Sequence, residues 1–324
     1  MTPTPPFRRG SILQAMIICA GLAVCAVLAA CGGGSDSTSS TGSSTATTTT
    51  GTSTAGVLCD YASSVFNGSA SVNATATVAW SCTTTTRSLK SNGLPDHDVG
   101  TFPNADNPSA ISAQNVSASL TLSPALASTV TALGGPRDTG YILNGVKIDP
   151  GTGGSCNDSG STCTLLGQAG QWRIEALGQT SFNFGVDGNN AHVQPGGTYH
   201  YHGMPEGFIS KLGKGQAMTL VGWAADGFPI YARYGYSVAT DATTALKVIR
   251  SSYRIKASPD TNRPPTSLYP MGTFLQDYEY VSGLGDLDEC NGRTGVTPEF
   301  PKGIYHYYAT DTYPYLQRCM KGQV

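Results

Sequence analysis

The chain is poor in charge. Lysine, arginine, aspartate and glutamate together make up 12% of its 324 residues, and the formal net charge is −2. No lysine or arginine run occurs, so the basic footprint of a nucleic-acid-binding protein is missing. Long segments of 3.6-residue periodicity are missing too. Only Thr240 to Arg250 and Pro124 to Leu133 read as short helices. None of the nine cysteines sits in a C-x-x-C pair, which argues against a thiolate zinc site. Neither G-x-S-x-G nor H-E-x-x-H is present, so the familiar hydrolase signatures do not apply. The acidic turn of Asp286, Asp288, Glu289 and Asn291 misses the EF-hand spacing, because Cys290 takes a ligand position. Asp226 reads as a turn former.

What is there begins with an export signal. Arg8 and Arg9 precede an apolar run from Ile12 to Ala30, and Leu28-Ala29-Ala30-Cys31 fits a lipobox. The run exceeds the ~7–15 residues of a usual signal core, which leaves a retained membrane anchor as the alternative. Residues 1–31 are expected to be a lipoprotein signal, with acylation at Cys31 anchoring the mature protein to a membrane rather than spanning it. Gly32 after the cysteine, by resemblance to bacterial lipoproteins, points to the outer membrane, on its periplasmic or cell-surface side. Residues 32–56 are nearly all Gly, Ser, Thr and Ala and read as a flexible tether. The domain is expected over 57–324.

Removal of the signal and acylation of Cys31 leave six cysteines: Cys59, Cys82, Cys156, Cys163, Cys290 and Cys319. An even number in an exported protein implies disulfides. Six cysteines allow 15 connectivities; nearest-neighbour pairing gives 59–82, 156–163 and 290–319. Short β-like runs recur between Gly/Pro turns: Ala70 to Trp80, Ser117 to Leu122, Gly140 to Ile148, Gln171 to Ala176, Met218 to Trp223 and Ile230 to Tyr236. The expected fold is mainly β, a sandwich- or barrel-like domain with long loops, stapled by disulfides.

Three of the five histidines fall in residues 187–208. Tyr199-His200-Tyr201-His202 alternates Tyr and His, the period of a β-strand, which sends both imidazoles to one face and both phenols to the other. Pro195-Gly196-Gly197 is a turn that returns His192 toward the pair. The three form a candidate metal site. A related segment, Pro301-Lys302-Gly303-Ile304-Tyr305-His306-Tyr307-Tyr308, follows later, with Asn190 and Asn291 upstream of the two copies and Arg293 where the first has His192. The fold is thus expected to contain two related strand–turn units. Laid side by side, they would bring His306 to the cluster. The bland alternative is a polar seam, each imidazole bonded to a backbone carbonyl. The sixteen tyrosines are expected to pack on strands with the phenol as a polar handle.

The tetrapeptide, together with S-N-G-L-P-D-H (91–97), L-N-G-V-K-I-D-P (143–150), A-D-G-F-P-I-Y (225–231) and D-E-C-N-G-R (288–293), resembles the YHYH-domain proteins over roughly residues 90 to 320. One departure is that Ala232-Arg233 stands where Gly-Pro is expected after P-I-Y. The resemblance covers the turn that carries His97 and adds it as a further candidate ligand, with Asp96 or Asp98 as an orienting carboxylate. Imidazole-rich sites suit copper or zinc. A blue-copper site also needs a thiolate, and the cysteines are committed to disulfides, so a histidine-only site is preferred.

Three classes of function remain. The first is an extracytoplasmic, lipid-anchored metal-binding protein. The second is a metal-dependent oxidase or hydrolase, for which Glu206 is the nearest candidate base. The third is a metal-free carbohydrate- or surface-binding module. The protein partner, if any, is not legible.

Overall fold

A computed structural model describes residues 51–133 and 138–324. The signal segment, Cys31 and most of the expected tether lie outside the described residues. Thr54, expected in the tether, is buried: its N–H and hydroxyl both donate to the Leu122 carbonyl, and its own carbonyl accepts from Arg87. The folded region therefore starts ahead of residue 57.

Strands β1 (Ala62–Asn67), β2 (Ala74–Cys82), β3 (Thr86–Ser91) and β4 (Val116–Thr121) form an antiparallel sheet in chain order. Alternation decides its inner face: Ala76, Val78 and Trp80 of β2 point into the core and their neighbours do not. Arg87 of β3 is also buried there. Its guanidinium lies 3.6 Å from the centroid of the Trp223 ring and donates to the Val57 and Thr54 carbonyls, which replaces part of the hydration it loses.

The chain continues through β5 (Leu126–Ala132), β6 (Gly140–Ile142), β7 (Lys147–Ile148), β8 (Ser155–Cys156), β9 (Cys163–Thr164) and β10 (Trp172–Arg173). Next come β11 (Ala191–Val193), β12 (Tyr199–Tyr201), helix α1 (Glu206–Leu212), β13 (Met218–Ala224), β14 (Pro229–Tyr236) and β15 (Leu246–Val248). Last are β16 (Tyr253–Ile255), β17 (Tyr278–Tyr280), β18 (Gly292–Gly295), β19 (Ile304–Ala309) and β20 (Cys319–Gly322). The main sheet runs β11-β12-β7-β6-β13-β14-β19-β18, with β15 as a ninth strand on β14. Its core is continuous with that of the four-stranded sheet: Trp80 and Leu89 share one cluster with Ile142, Trp223 and Tyr307. The fold is mainly β and layered, with no closed barrel among the described residues. Three disulfides, Cys59–Cys82, Cys156–Cys163 and Cys290–Cys319, follow nearest-neighbour pairing.

Neither helix-like stretch is a helix; each contributes a strand. Pro124 to Leu133 contains β5, which pairs with β20, and Thr240 to Arg250 contains β15, which pairs with β14. Threonine and valine within them suit a pleated partner, and each meets a strand edge. The true helix, α1, begins after Pro205, buries Phe208 and ends at Gly213 in the left-handed region. Ala232-Arg233 lies within β14 rather than in a turn; Arg233 has φ +54°, which proline cannot adopt.

The main sheet is built from two like halves, and the likeness reaches beyond the segment around the two histidine strands. The β6–β7 turn is Asn144-Gly145 and the β13–β14 turn is Asp226-Gly227, both glycines left-handed at φ +81° and +86°. Asn144 Oδ1 accepts from the Val146 N–H at 3.1 Å, and Asp226 Oδ1 from the Phe228 N–H at 3.3 Å. In one half β12 runs parallel to β7; in the other β19 runs parallel to β14. His192 pairs with His200 across β11–β12, as Arg293 pairs with His306 across β18–β19. Tyr199 donates to Asp187 at 2.8 Å and Tyr305 to Asp288 at 3.2 Å. The His202 N–H bonds to the Asn190 carbonyl, as the Tyr308 N–H bonds to that of Asn291. Both asparagines have positive φ.

Candidate metal centre

Alternation on β12 does what the tetrapeptide implies. Tyr199 and Tyr201 leave by one face: the Tyr199 ring meets Phe102 edge-on, and the Tyr201 hydroxyl meets His97 and Asn144. His200 and His202 leave by the other, and the tight return from β11 sets His192 beside them. Ring centroids are 4.6–4.7 Å apart for all three pairs. One nitrogen from each ring falls within 4.8 Å of the others.

The backbone sets the tautomers. His192 Nδ1 lies 2.9 Å from the Phe184 carbonyl and His200 Nδ1 3.2 Å from that of Thr198. A carbonyl only accepts, so each Nδ1 carries the proton and each Nε2 offers a lone pair. His192 Nε2 is 3.0 Å from His202 Nε2. Two nitrogens each ~2.0–2.1 Å from one ion are at most ~4.2 Å apart, so this pair fits a shared cation. Without one, the contact needs a proton, which His202 supplies from Nε2; its Nδ1 has no hydrogen bond of ordinary geometry.

Burial keeps the rings neutral. His200 and His202 are held well below the ordinary histidine range, first by desolvation and then by the neighbouring imidazoles. Lys147 adds to this at His200 and Arg318 at His202. Arg318 is locked in a buried bidentate pair with Glu175, at 2.7 and 3.2 Å. His192, less buried, is lowered for the same first reason. Neutral imidazoles are the state a metal requires, and at His192 and His200 the lone pair already faces inward.

A cavity of about 410 Å³ opens onto the three rings. Phe184, Leu165 and Leu166 are among its walls, and Asp149 lies on its lining. A metal held by three histidines here would keep a coordination position open to that space, as catalytic zinc sites do.

The other candidates lie elsewhere. His97 is on the phenol face: its Nδ1 donates to the Asp98 carbonyl at 2.8 Å and its Nε2 accepts from the Tyr201 hydroxyl at 2.5 Å, so no lone pair is left for an ion. Asp96 does not orient His97; it takes Asn144 and Lys211. His306 is fully buried on β19, with β7, β6, β13 and β14 between it and β12. Five strand spacings put it roughly 24 Å away. The two related units are not side by side. Glu206 pairs with Arg233 and does not line the cavity. Tyr199, Tyr201, Tyr231, Tyr307 and Tyr308 are buried, each with its phenol bonded.

The family description "YHYH protein" matches residues 117–322, more than half of the chain. The chain belongs to the YHYH family. No curated protein and no solved structure matches it. Within the matched region the YHYH tetrapeptide supplies two of the three clustered imidazoles, and the matched segment holds both halves of the main sheet. Sequence reading missed the Phe184 carbonyl, the Arg318–Glu175 pair and Asp149. Asp149 stands in L-N-G-V-K-I-D-P, yet no spacing marked it.

Proposed function

We propose that this YHYH protein is an extracytoplasmic metal-binding protein that holds one copper or zinc ion through His192, His200 and His202. The observation that carries the reading is the convergence of three neutral imidazoles whose Nδ1 protons are engaged by backbone carbonyls at two of the three. Three disulfides suit an oxidising compartment outside the cytoplasm. Anchoring through a lipid on Cys31, at the outer membrane, is part of the same proposal and rests on the lipobox.

The cavity favours a second reading, a metal-dependent oxidase or hydrolase. The ion would supply Lewis acidity or redox chemistry at its open position. The chain's own residues orient the ligands through the Phe184 and Thr198 carbonyls and screen the site with Phe184 and Leu165.

Elemental analysis of protein purified from the periplasm without added metal tests the first reading. About one copper or zinc per chain is expected, and the His200→Ala, His202→Ala double variant should lose it while keeping its disulfides. Stoichiometric metal in the double variant sinks the assignment.

A further inference from the structure

The cavity above the imidazoles has a chemical preference of its own. Its volume, about 410 Å³, is in the range of small-molecule sites. Pro108, Leu165, Leu166, Phe184 and Pro195 give it apolar walls, and the three imidazoles close one side. Leu166 is 66% exposed, while Phe184 is 6% exposed and stands 6.0 Å from the His192 ring. The cavity thus grades from an open lip to a dry end at the nitrogens.

The charges on the lining are one-sided. Asp106 and Asp149 contribute carboxylates, and no lysine or arginine is among the described residues that line it. Lys147 reaches Asp149 at 3.4 Å but is not part of the lining. Along the walls an anionic ligand would meet the Asp106 carboxylate, the Lys147-paired Asp149 and no basic side chain, so it would gain only from the ion itself. A sugar would bury most of its hydroxyls against apolar walls, where an unpaired hydroxyl is costly. A neutral molecule with an apolar body and a single polar end avoids both penalties. A planar ring body has few rotors to freeze on binding. A phenol is neutral in solution at pH 7, and its hydroxyl, with a pKa near 10, gives its proton to solvent more readily than an aliphatic alcohol when the oxygen meets a cation.

We propose that this cavity takes a small neutral phenol, its ring against Phe184 and Leu165 and its oxygen at the open position of the metal held by His192, His200 and His202. The inference rests on the metal reading above.

Cobalt-loaded full-length protein separates the two. Cobalt(II) has visible bands that report its ligands, and the probes are phenol and catechol against benzoate and glucose. One cobalt per chain is expected. Phenol and catechol should shift the bands saturably, at concentrations at least about tenfold below those at which benzoate or glucose act. Leu165→Trp should keep cobalt and weaken phenol at least about tenfold by filling the chamber. Leu166→Trp, at the exposed lip, checks the same effect without touching the core. Failure to take up cobalt overturns the metal reading and this inference with it. Cobalt uptake without a phenol response, or with benzoate binding as tightly as phenol, overturns this inference alone. Phenol binding unchanged in both tryptophan variants also overturns it.

Discussion

The two ends of the main sheet use one backbone device for opposite results. In each half the central histidine gives its Nδ1 proton to the carbonyl two residues before it, His200 to Thr198 at 3.2 Å and His306 to Ile304 at 2.9 Å. Each is thereby left with a lone pair on Nε2. At the first end that lone pair faces two more imidazoles. At the second, the Tyr308 hydroxyl lies 3.3 Å from His306 Nε2, and the Arg293 guanidinium donates to the same oxygen at 3.3 Å. The guanidinium carbon also sits 5.4 Å from the Tyr308 ring centroid. At the second end the Nε2 lone pair has a partner on the same strand; at the first, the Nε2 lone pairs of His192 and His200 face His202 and a cavity. The difference between the two ends thus resides in two side chains per half, not in the strand–turn frame, and on the metal reading proposed above it decides which end holds an ion.

The largest expected effect comes from exchanging those side chains. Arg293→His with Tyr308→His should raise bound metal from about one to about two ions per chain after dialysis. His202→Tyr, which places the second half's phenol in the first, should weaken metal at least about a hundredfold, more than loss of an outer-shell partner typically does. If the first change adds no metal to a chain that binds one, the likeness of the halves does not extend to ligand geometry.

Acid should act on both halves in the same direction, and His306 isolates the share of the second. Burial holds His306 down to about 3, while an unfolded histidine titrates near 6.5. Between these values the unfolded chain binds the proton and the folded one does not. The contribution is therefore complete above about pH 6.5 and is lost as pH falls toward 3. By pH 4.5 the loss is about 3 kcal/mol. Denaturant unfolding of His306→Gln should show a shallower fall from pH 7 to 4.5 than the parent; an identical slope removes His306 as the cause.

The smallest effect concerns the turns. Asp226 accepts from the Tyr307 hydroxyl at 2.5 Å and the Gly322 N–H at 2.9 Å, where Asn144 in the other half donates to Tyr201 and Asp96. Asp226→Asn copies the first half's residue but places an amide donor among donors. A cost of about 1–3 kcal/mol in urea unfolding is expected. A neutral outcome would mean the two turns are interchangeable.

Much of the site was legible because its determinants are local. Alternation put His200 and His202 on one face, and Pro195 to Gly197 returned His192. Nearest-neighbour cysteines paired as expected, at sequence separations of 23, 7 and 29. What failed was non-local. The parallel β12–β7 and β14–β19 pairings insert four strands between His200 and His306, and no local pattern encodes that order. His97 looked like a loop tip, yet Asn67 donates to the Pro95 and His97 carbonyls and draws the segment inward. The seven-residue helix α1 is too short to show a period. The cavity adds to the histidine strands several loops distant in sequence, around Asp106, Thr152, Leu165 and Phe184, which no motif marks.

The seam between β6 and β13 has a consequence for assembly. Tyr141 faces Trp223 across it, while Ile142 faces Gly222 and Gly140 faces Ala224. Asn144 and Asp226 occupy like places after β6 and β13, which makes Gly140, Tyr141 and Ile142 the counterparts of Gly222, Trp223 and Ala224. Exchanging the halves therefore returns the same three pairs, with the Tyr141–Trp223 pair on the dyad. Such self-matching is the property of an isologous C2 contact. A single half, cut free, would carry an edge complementary to its own copy. The covalent connection gives that edge its mate at high effective concentration and leaves the free edge no stranger to recruit.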